Sequence, residues 1–196
     1  MVVVHALPAE YSDDDLKEVE ESWHMLVSKG HHAEIVGGRL VMSPAPSRRH
    51  CNVTEGLADQ FFDLKRQHDW HVYTGSAVYI PHIRNRRVPD RVVTPRRARW
   101  YDENQMVASS TLLVVEVVCP GKEARQEDFE IKPGEYATAG VPLYLVIDPE
   151  VTPKTLALLS RPEGDEYAVR ADVVEGEPLH LPEPFDFALD TMGLFC

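Results

Sequence analysis

The chain has 196 residues, with 20 basic against 32 acidic side chains and a formal charge of -12. Its 43% hydrophobic and 27% charged content is ordinary for a globular protein, and fibrous and disordered classes are excluded. No apolar run approaches the ~20 residues of a membrane span, Met1 to Pro8 lacks the basic region of a signal peptide, and Cys51, Cys119 and Cys196 form no CxxC pair.

A reduced, cytoplasmic setting follows as the expectation, without a disulfide framework, a zinc knuckle or a membrane partner. One domain over 1–196 is expected. It has an N-terminal helix over 12–29, a core over about 30–150 and a C-terminal β extension over 151–196. The charge is uneven. Residues 9–21 hold seven acids against Lys17, and 162–190 hold nine against Arg170. Residues 84–99 hold seven arginines around one acid, Asp90.

Ser12 before Asp13, Asp14 and Asp15 reads as an N-cap with acids on the first turn. Leu16, Val19, Trp23, Leu26 and Val27 recur at helical spacing up to a stop at Gly30. Two apolar runs around Gly37-Gly38 predict a hairpin over 33–42. Ser43 to Ser47 is a turn, and Ser47 can cap a second helix with Val53, Leu57, Phe61 and Leu64 on one stripe. Trp70 to Ile80 reads as one strand, Arg84 to Arg87 as a turn and Val88 to Val93 as a short strand. Residues 95–110 look irregular. Thr111 to Val118 suits a central strand covered on both sides. Residues 123–139 read as a helix with a fault at Pro133-Gly134, and Leu143 to Asp148 as another strand. Further strands fall near 155–160, 166–173 and 177–181, with the last hairpin towards the sheet edge. Alternating strands and helices predict an α/β fold with a mixed β-sheet flanked by helices.

Glu116 is the anomaly, because every neighbour from Leu112 to Val118 is Leu or Val. A buried carboxylate needs a metal, a base or a proton as partner. An arginine at the sheet rim would also serve. Asp90 poses the same question on a second short strand, and two carboxylates on neighbouring strands make a hard oxygen site for Mg²⁺ or Mn²⁺. Asp128, Lys132 and Tyr136 recur every four residues and share one helix face. An i,i+4 ion pair alone would explain Asp128 and Lys132. Pro133 is tolerated in a first turn and not in a helix interior, so a break is expected at Lys132 with a fresh helix from Pro133.

Glu116-Val-Val-Cys-Pro120, Asp128-x-x-x-Lys132-x-x-x-Tyr136, Ala139-Gly-Val-Pro142 and Tyr144-Leu-Val-Ile-Asp-Pro149 follow one another in this order. Together with Glu34 to Pro44, His50 and Pro89-Asp90, they resemble the Uma-two family, bacterial restriction-endonuclease-like proteins of the PD-(D/E)XK nuclease fold. The resemblance spans about residues 30 to 150. It implies an α/β/α core and Mg²⁺-dependent (or Mn²⁺-dependent) endonuclease action on DNA. It makes Asp90, Glu116 and Lys132 catalytic, with Asp90, Glu116 and the backbone carbonyl of Val117 holding the metal. Glu34, His50 and Tyr136 then stand around the active site. Glu34 would be an outer or second-metal ligand, or a partner for His50. Lys132 would orient or help deprotonate the attacking water, or stabilise charge on the phosphorus.

Two departures bear on this. The parent motif's lysine position holds Val118, and Lys132 matches a lysine moved to the following helix. Cys119 replaces the serine after Glu-Val-Val and brings a thiol near the site. Arg86, Arg87, Arg96 and Arg97 would line the rim around Asp90 as a DNA track. The competing expectation has the arginines neutralise the acidic 9–21 and 162–190 segments. The alternative function is a nuclease-fold protein that binds nucleic acid or a protein partner without cutting. A metal-dependent hydrolase of another substrate is a further reading, and a homodimer is one arrangement the sequence allows. No HExxH, GxSxG, Walker A or GxGxxG pattern occurs.

Overall fold

The computed structural model describes residues 2–6, 13–43 and 45–195. Strand β1 is Val2–Ala6, helix α1 Asp13–Ser28, β2 Ala33–Val36 and β3 Arg39–Met42. In α1, Leu16, Val19 and Trp23 are buried, as three- and four-residue spacing dictates. The Trp23 indole N–H donates to Ala33 O at 2.7 Å and fixes α1 on β2. The expected Ser12 cap lies outside the described residues. β2 and β3 form the expected hairpin, Val36 opposite Arg39, with Gly37 and Gly38 both at positive φ in the two-residue loop. Helix α2, Arg48–Gln67, starts at Ser47, whose hydroxyl accepts from the His50 N–H at 3.2 Å.

The single strand expected over 70–80 is two. β4 is Trp70–Tyr73 and β5 is Ala77–Ile80, and they belong to different sheets. The chain turns between them at Gly75, φ +62°. β6, Asn85–Arg87, replaces the turn expected at 84–87. β7 is Arg91–Pro95, later than the expected 88–93, so Pro89 and Asp90 precede it. β8, Gln105–Val107, orders part of a stretch expected to be irregular. β9 is Leu113–Val117, and α3 is Lys122–Gln126. A π-helical turn Glu127–Ile131 follows, then α4, Lys132–Thr138. β10 is Leu143–Asp148, β11 Thr155–Glu163, β12 Glu166–Val174, β13 Leu179–Leu181 and β14 Phe187–Leu189.

One sheet has the order β1-β3-β2-β6-β5-β8, and a second, mixed sheet runs β12-β11-β10-β9-β7-β4. β9 is internal, antiparallel to β7 and parallel to β10. β13 and β14 pair with each other instead of extending the second sheet. Alternation sorts β9 into two faces. Leu113, Val115 and Val117 pack with Val53, Leu57 and Phe61 of α2. Val114 and Val118 pack with Tyr136 of α4 and with Val78 and Met106 of the first sheet. This is the expected α/β class, with a mixed sheet flanked by helices, but the single sheet is replaced by two. Among the described residues no helix is long and apolar enough to cross a membrane.

Candidate active site

Glu116 shares the β9 face of Val114 and Val118, towards α4, and is 4% exposed. Arg91 lies opposite Val115, so Asp90, one residue further out, stands beside Glu116 at the same end of the sheet. The Val117 N–H donates to Asp90 Oδ2 at 2.7 Å. His50 Nε2, from the first turn of α2, lies 2.9 Å from Asp90 Oδ1.

Lys132 reaches this point from the other side. Its Nζ is 2.9 Å from Glu116 Oε2 and 2.8 Å from Asp128 Oδ1. The π-helical turn just before Lys132 takes the place of the expected break, and Pro133 sits harmlessly in the first turn of α4. Tyr144 Oη donates to Asp128 O at 2.7 Å and ties that turn to β10.

One ammonium therefore serves several acids. Burial, with the charges of Asp128 and Asp90, holds Glu116 well above the usual carboxylate range despite Lys132. Burial also raises Asp128. Burial alone would lower Lys132, but Glu116, Asp128 and Glu34 overcome it and keep the ammonium protonated. Glu116 Oε1 is buried without a hydrogen-bond partner. Asp90, Glu116, Asp128 and Lys132 all line a cavity of about 490 Å³.

An unpartnered carboxylate oxygen and a surplus of negative charge fit a hard divalent cation. Among the described residues, no three His, Cys, Asp or Glu side chains converge as a ligand set. Two carboxylates are nevertheless what Mg²⁺ ordinarily takes from protein, with water and phosphate filling the remaining positions.

Glu34 lines the same cavity, but its partners are Arg87 Nη1 at 3.2 Å and the Val88 N–H at 2.8 Å. Of the roles open to Glu34, the pairing with His50 is not the one formed, because His50 is engaged with Asp90. Tyr136 is fully buried with its hydroxyl unpartnered, and it packs on Tyr144. Cys119 also lines the cavity, and burial with the Asp90 and Asp128 charges raises its thiol.

The arginine track needs a larger correction. Arg87 is fully buried, held by Glu34, Glu127 and a bidentate Glu135. Arg86 is 1% exposed, paired with Glu20 at 2.5 Å and set over the rings of Trp23 and Tyr79. Neither lines a rim, because both guanidinium groups are buried and spent on acids of α1, β2, the π-helical turn and α4. Arg84 pairs with Asp13, so the 9–21 segment does draw on this stretch. Among the described residues, no ion pair connects any of the seven to 162–190. Arg96 and Arg97 are exposed. The residue that sequence reasoning left out of the site is Asp128. Its four-residue spacing from Lys132 was the available signal, and it was equally that of a surface ion pair.

A family model described as "Putative restriction endonuclease", Uma2, matches residues 18–192. The chain belongs to the Uma2 (Uma-two) family. No curated protein matches it. A solved structure with the same fold is described as a "putative nuclease belonging to DUF820", from Anabaena variabilis ATCC 29413. It is 14% identical, with a TM-score of 0.62 over 83% of this chain and 89% of that one. In this Uma2 chain, Asp90, Glu116 and Lys132 come together although 26 and 16 residues separate them in sequence.

Proposed function

We propose that this Uma2 chain is a divalent-metal-dependent endonuclease that hydrolyses phosphodiester bonds in DNA. The observation that carries the reading is the buried Glu116 Oε1, unpartnered and beside Asp90 in an acidic cavity. Asp90, Glu116 and the Val117 carbonyl would hold Mg²⁺ or Mn²⁺. The bound ion would supply Lewis acidity, making water a competent nucleophile near neutral pH and offsetting phosphate charge.

The chain's own residues do the rest. His50 on Oδ1 and the Val117 N–H on Oδ2 fix the Asp90 carboxylate. Lys132, kept protonated by its acidic neighbours, acts as a donor and a positive charge. It orients the attacking water and stabilises charge on the phosphorus, and it does not serve as the base. Glu34 and Arg87 brace the cavity wall behind it.

The test is cleavage of plasmid, linear duplex and single-stranded DNA with Mg²⁺ or Mn²⁺. Cleavage is expected that EDTA stops and Glu116→Ala abolishes. A folded wild-type chain that binds DNA and never cuts it returns the protein to the alternative, a nuclease-fold binding protein.

A further inference from the structure

Trp100 and Tyr101 are 40% and 56% exposed, an unusual position for two adjacent aromatics. They are not on a loose loop. The Tyr101 N–H donates to Gln105 O at 2.8 Å, the Val107 N–H to Arg99 O at 2.9 Å, and Trp100 bridges to Met106. Asp102 caps the turn through the N–H groups of Asn104 and Gln105. Each ring leans on a second ring. Trp100 meets Tyr73 edge-on at 5.5 Å, and Tyr101 lies 4.3 Å from Tyr79. The rings are held in place without being covered.

Arg96, Arg97 and Arg99, just before them, are all exposed. The Arg96 side chain makes an exposed ion pair, 3.3 Å to Asp69. Among the described residues, the Arg97 and Arg99 side chains have no ion-pair partner. Tyr73, under Trp100, is followed by Thr74 and Gly75, which line the acidic cavity. The cavity wall therefore begins one residue beyond the ring that Trp100 leans on, at the end of β4.

We infer that Trp100 and Tyr101 form a stacking platform for the bases of single-stranded DNA. Arg96, Arg97 and Arg99 take the backbone phosphates and lead the strand towards Asp90 and Glu116. Aromatic faces can stack only on bases freed from a duplex, and a basic track with aromatics is how sequence-tolerant single-strand sites are built. The cavity supports the same choice. At about 490 Å³ it is the size of a small-ligand pocket, and Glu116 at its base is 4% exposed. A separated strand can enter where a stacked duplex cannot. This rests on the endonuclease reading for its direction towards the cavity, but its binding test does not.

The experiment is fluorescence anisotropy of the full chain with a fluorescein-labelled oligodeoxythymidylate, in EDTA so that nothing is cut. A labelled duplex of equal length is run beside it. The single strand is expected to bind more tightly than the duplex. Trp100→Ala and Tyr101→Ala should each weaken it at least about five-fold, while Trp100→Phe and Tyr101→Phe stay near wild type. Arg97→Ala should flatten the log–log salt slope by roughly 0.7. Equal affinity for the duplex overturns the inference, and so does indifference to both alanine substitutions. A chain that binds the strand and cuts nothing upholds the platform while the endonuclease reading fails. A chain that cuts with affinity unchanged in both alanine variants does the reverse.

Discussion

The Lys132 ammonium lies 2.9 Å from Glu116 Oε2 and 2.8 Å from Asp128 Oδ1. All three side chains are buried. Two carboxylates share one cation, so removing the cation and removing one acid have unequal consequences. Lys132→Met leaves two buried acids unpaired and should cost about 3–5 kcal/mol of unfolding free energy. Glu116→Gln keeps the shape, removes surplus negative charge and leaves Lys132 its partner Asp128. Its stability should stay within about 1 kcal/mol of wild type, while metal-dependent cleavage is lost. Urea midpoints together with a cleavage assay check both. A Glu116→Gln variant as unstable as Lys132→Met would mean that the pair is chiefly structural.

The arginines of 84–99 separate by burial. Arg87→Ala would leave Glu34, Glu127 and Glu135 without their shared cation, and a loss of about 3–5 kcal/mol is expected. Arg96→Ala and Arg97→Ala, at exposed positions, should move stability by less than about 0.5 kcal/mol. Thermal unfolding of the three variants checks this, and comparable losses would contradict the division.

The same residues show what the sequence could reveal. Glu116 was legible because a charge in an apolar strand needs no distant information to be anomalous. The Ser47 cap and the Gly37-Gly38 hairpin were legible because their signals are local. Arg86 and Arg87 were misread as turn residues because their counter-ions lie on α1, β2, the π-helical turn and α4. Only the fold brings Glu20, Glu34, Glu127 and Glu135 to β6. The strand break at Gly75 was hidden by β-forming residues on both sides, and His50 meets Asp90 only when α2 packs on the sheet. The π-helical turn before Lys132 was reduced to a break because Pro133 marks a discontinuity without specifying its form.

Glu34 gives a pH dependence with a definite sign. Its burial would raise the carboxyl, but Arg87, Lys132 and the Val88 N–H together hold it below the ordinary value of 4.5. Glu34 therefore releases its proton more readily folded than unfolded. Its stabilisation is complete above the unfolded value and is lost as pH falls through the lower folded value. Glu34→Gln should be less stable than wild type at neutral pH, and the two should converge as pH drops below about 4.5. Urea midpoints measured across this acid range test the claim. A constant difference at every pH would assign the effect to packing.

The cavity itself predicts a metal response that does not depend on cutting. A ligand that binds the folded chain and not the unfolded one stabilises it by RT ln(1 + [L]/Kd), about 2.7 kcal/mol at a hundred-fold excess over Kd. Mn²⁺ or Mg²⁺ should therefore raise the melting temperature in a saturable way, and EDTA should reverse the rise. Asp90 and Glu116 supply the carboxylates, and Glu116 Oε1 has no competing hydrogen bond, so Asp90→Asn and Glu116→Gln should each abolish most of the shift. His50→Ala leaves both carboxylates in place but removes the contact at Asp90 Oδ1. It should weaken the shift about 10- to 100-fold in apparent affinity without abolishing it. Arg96→Ala, at the far end of β7, should leave the metal response unchanged. An identical shift in wild type and Glu116→Gln would place the cation elsewhere and remove the metal from Asp90 and Glu116.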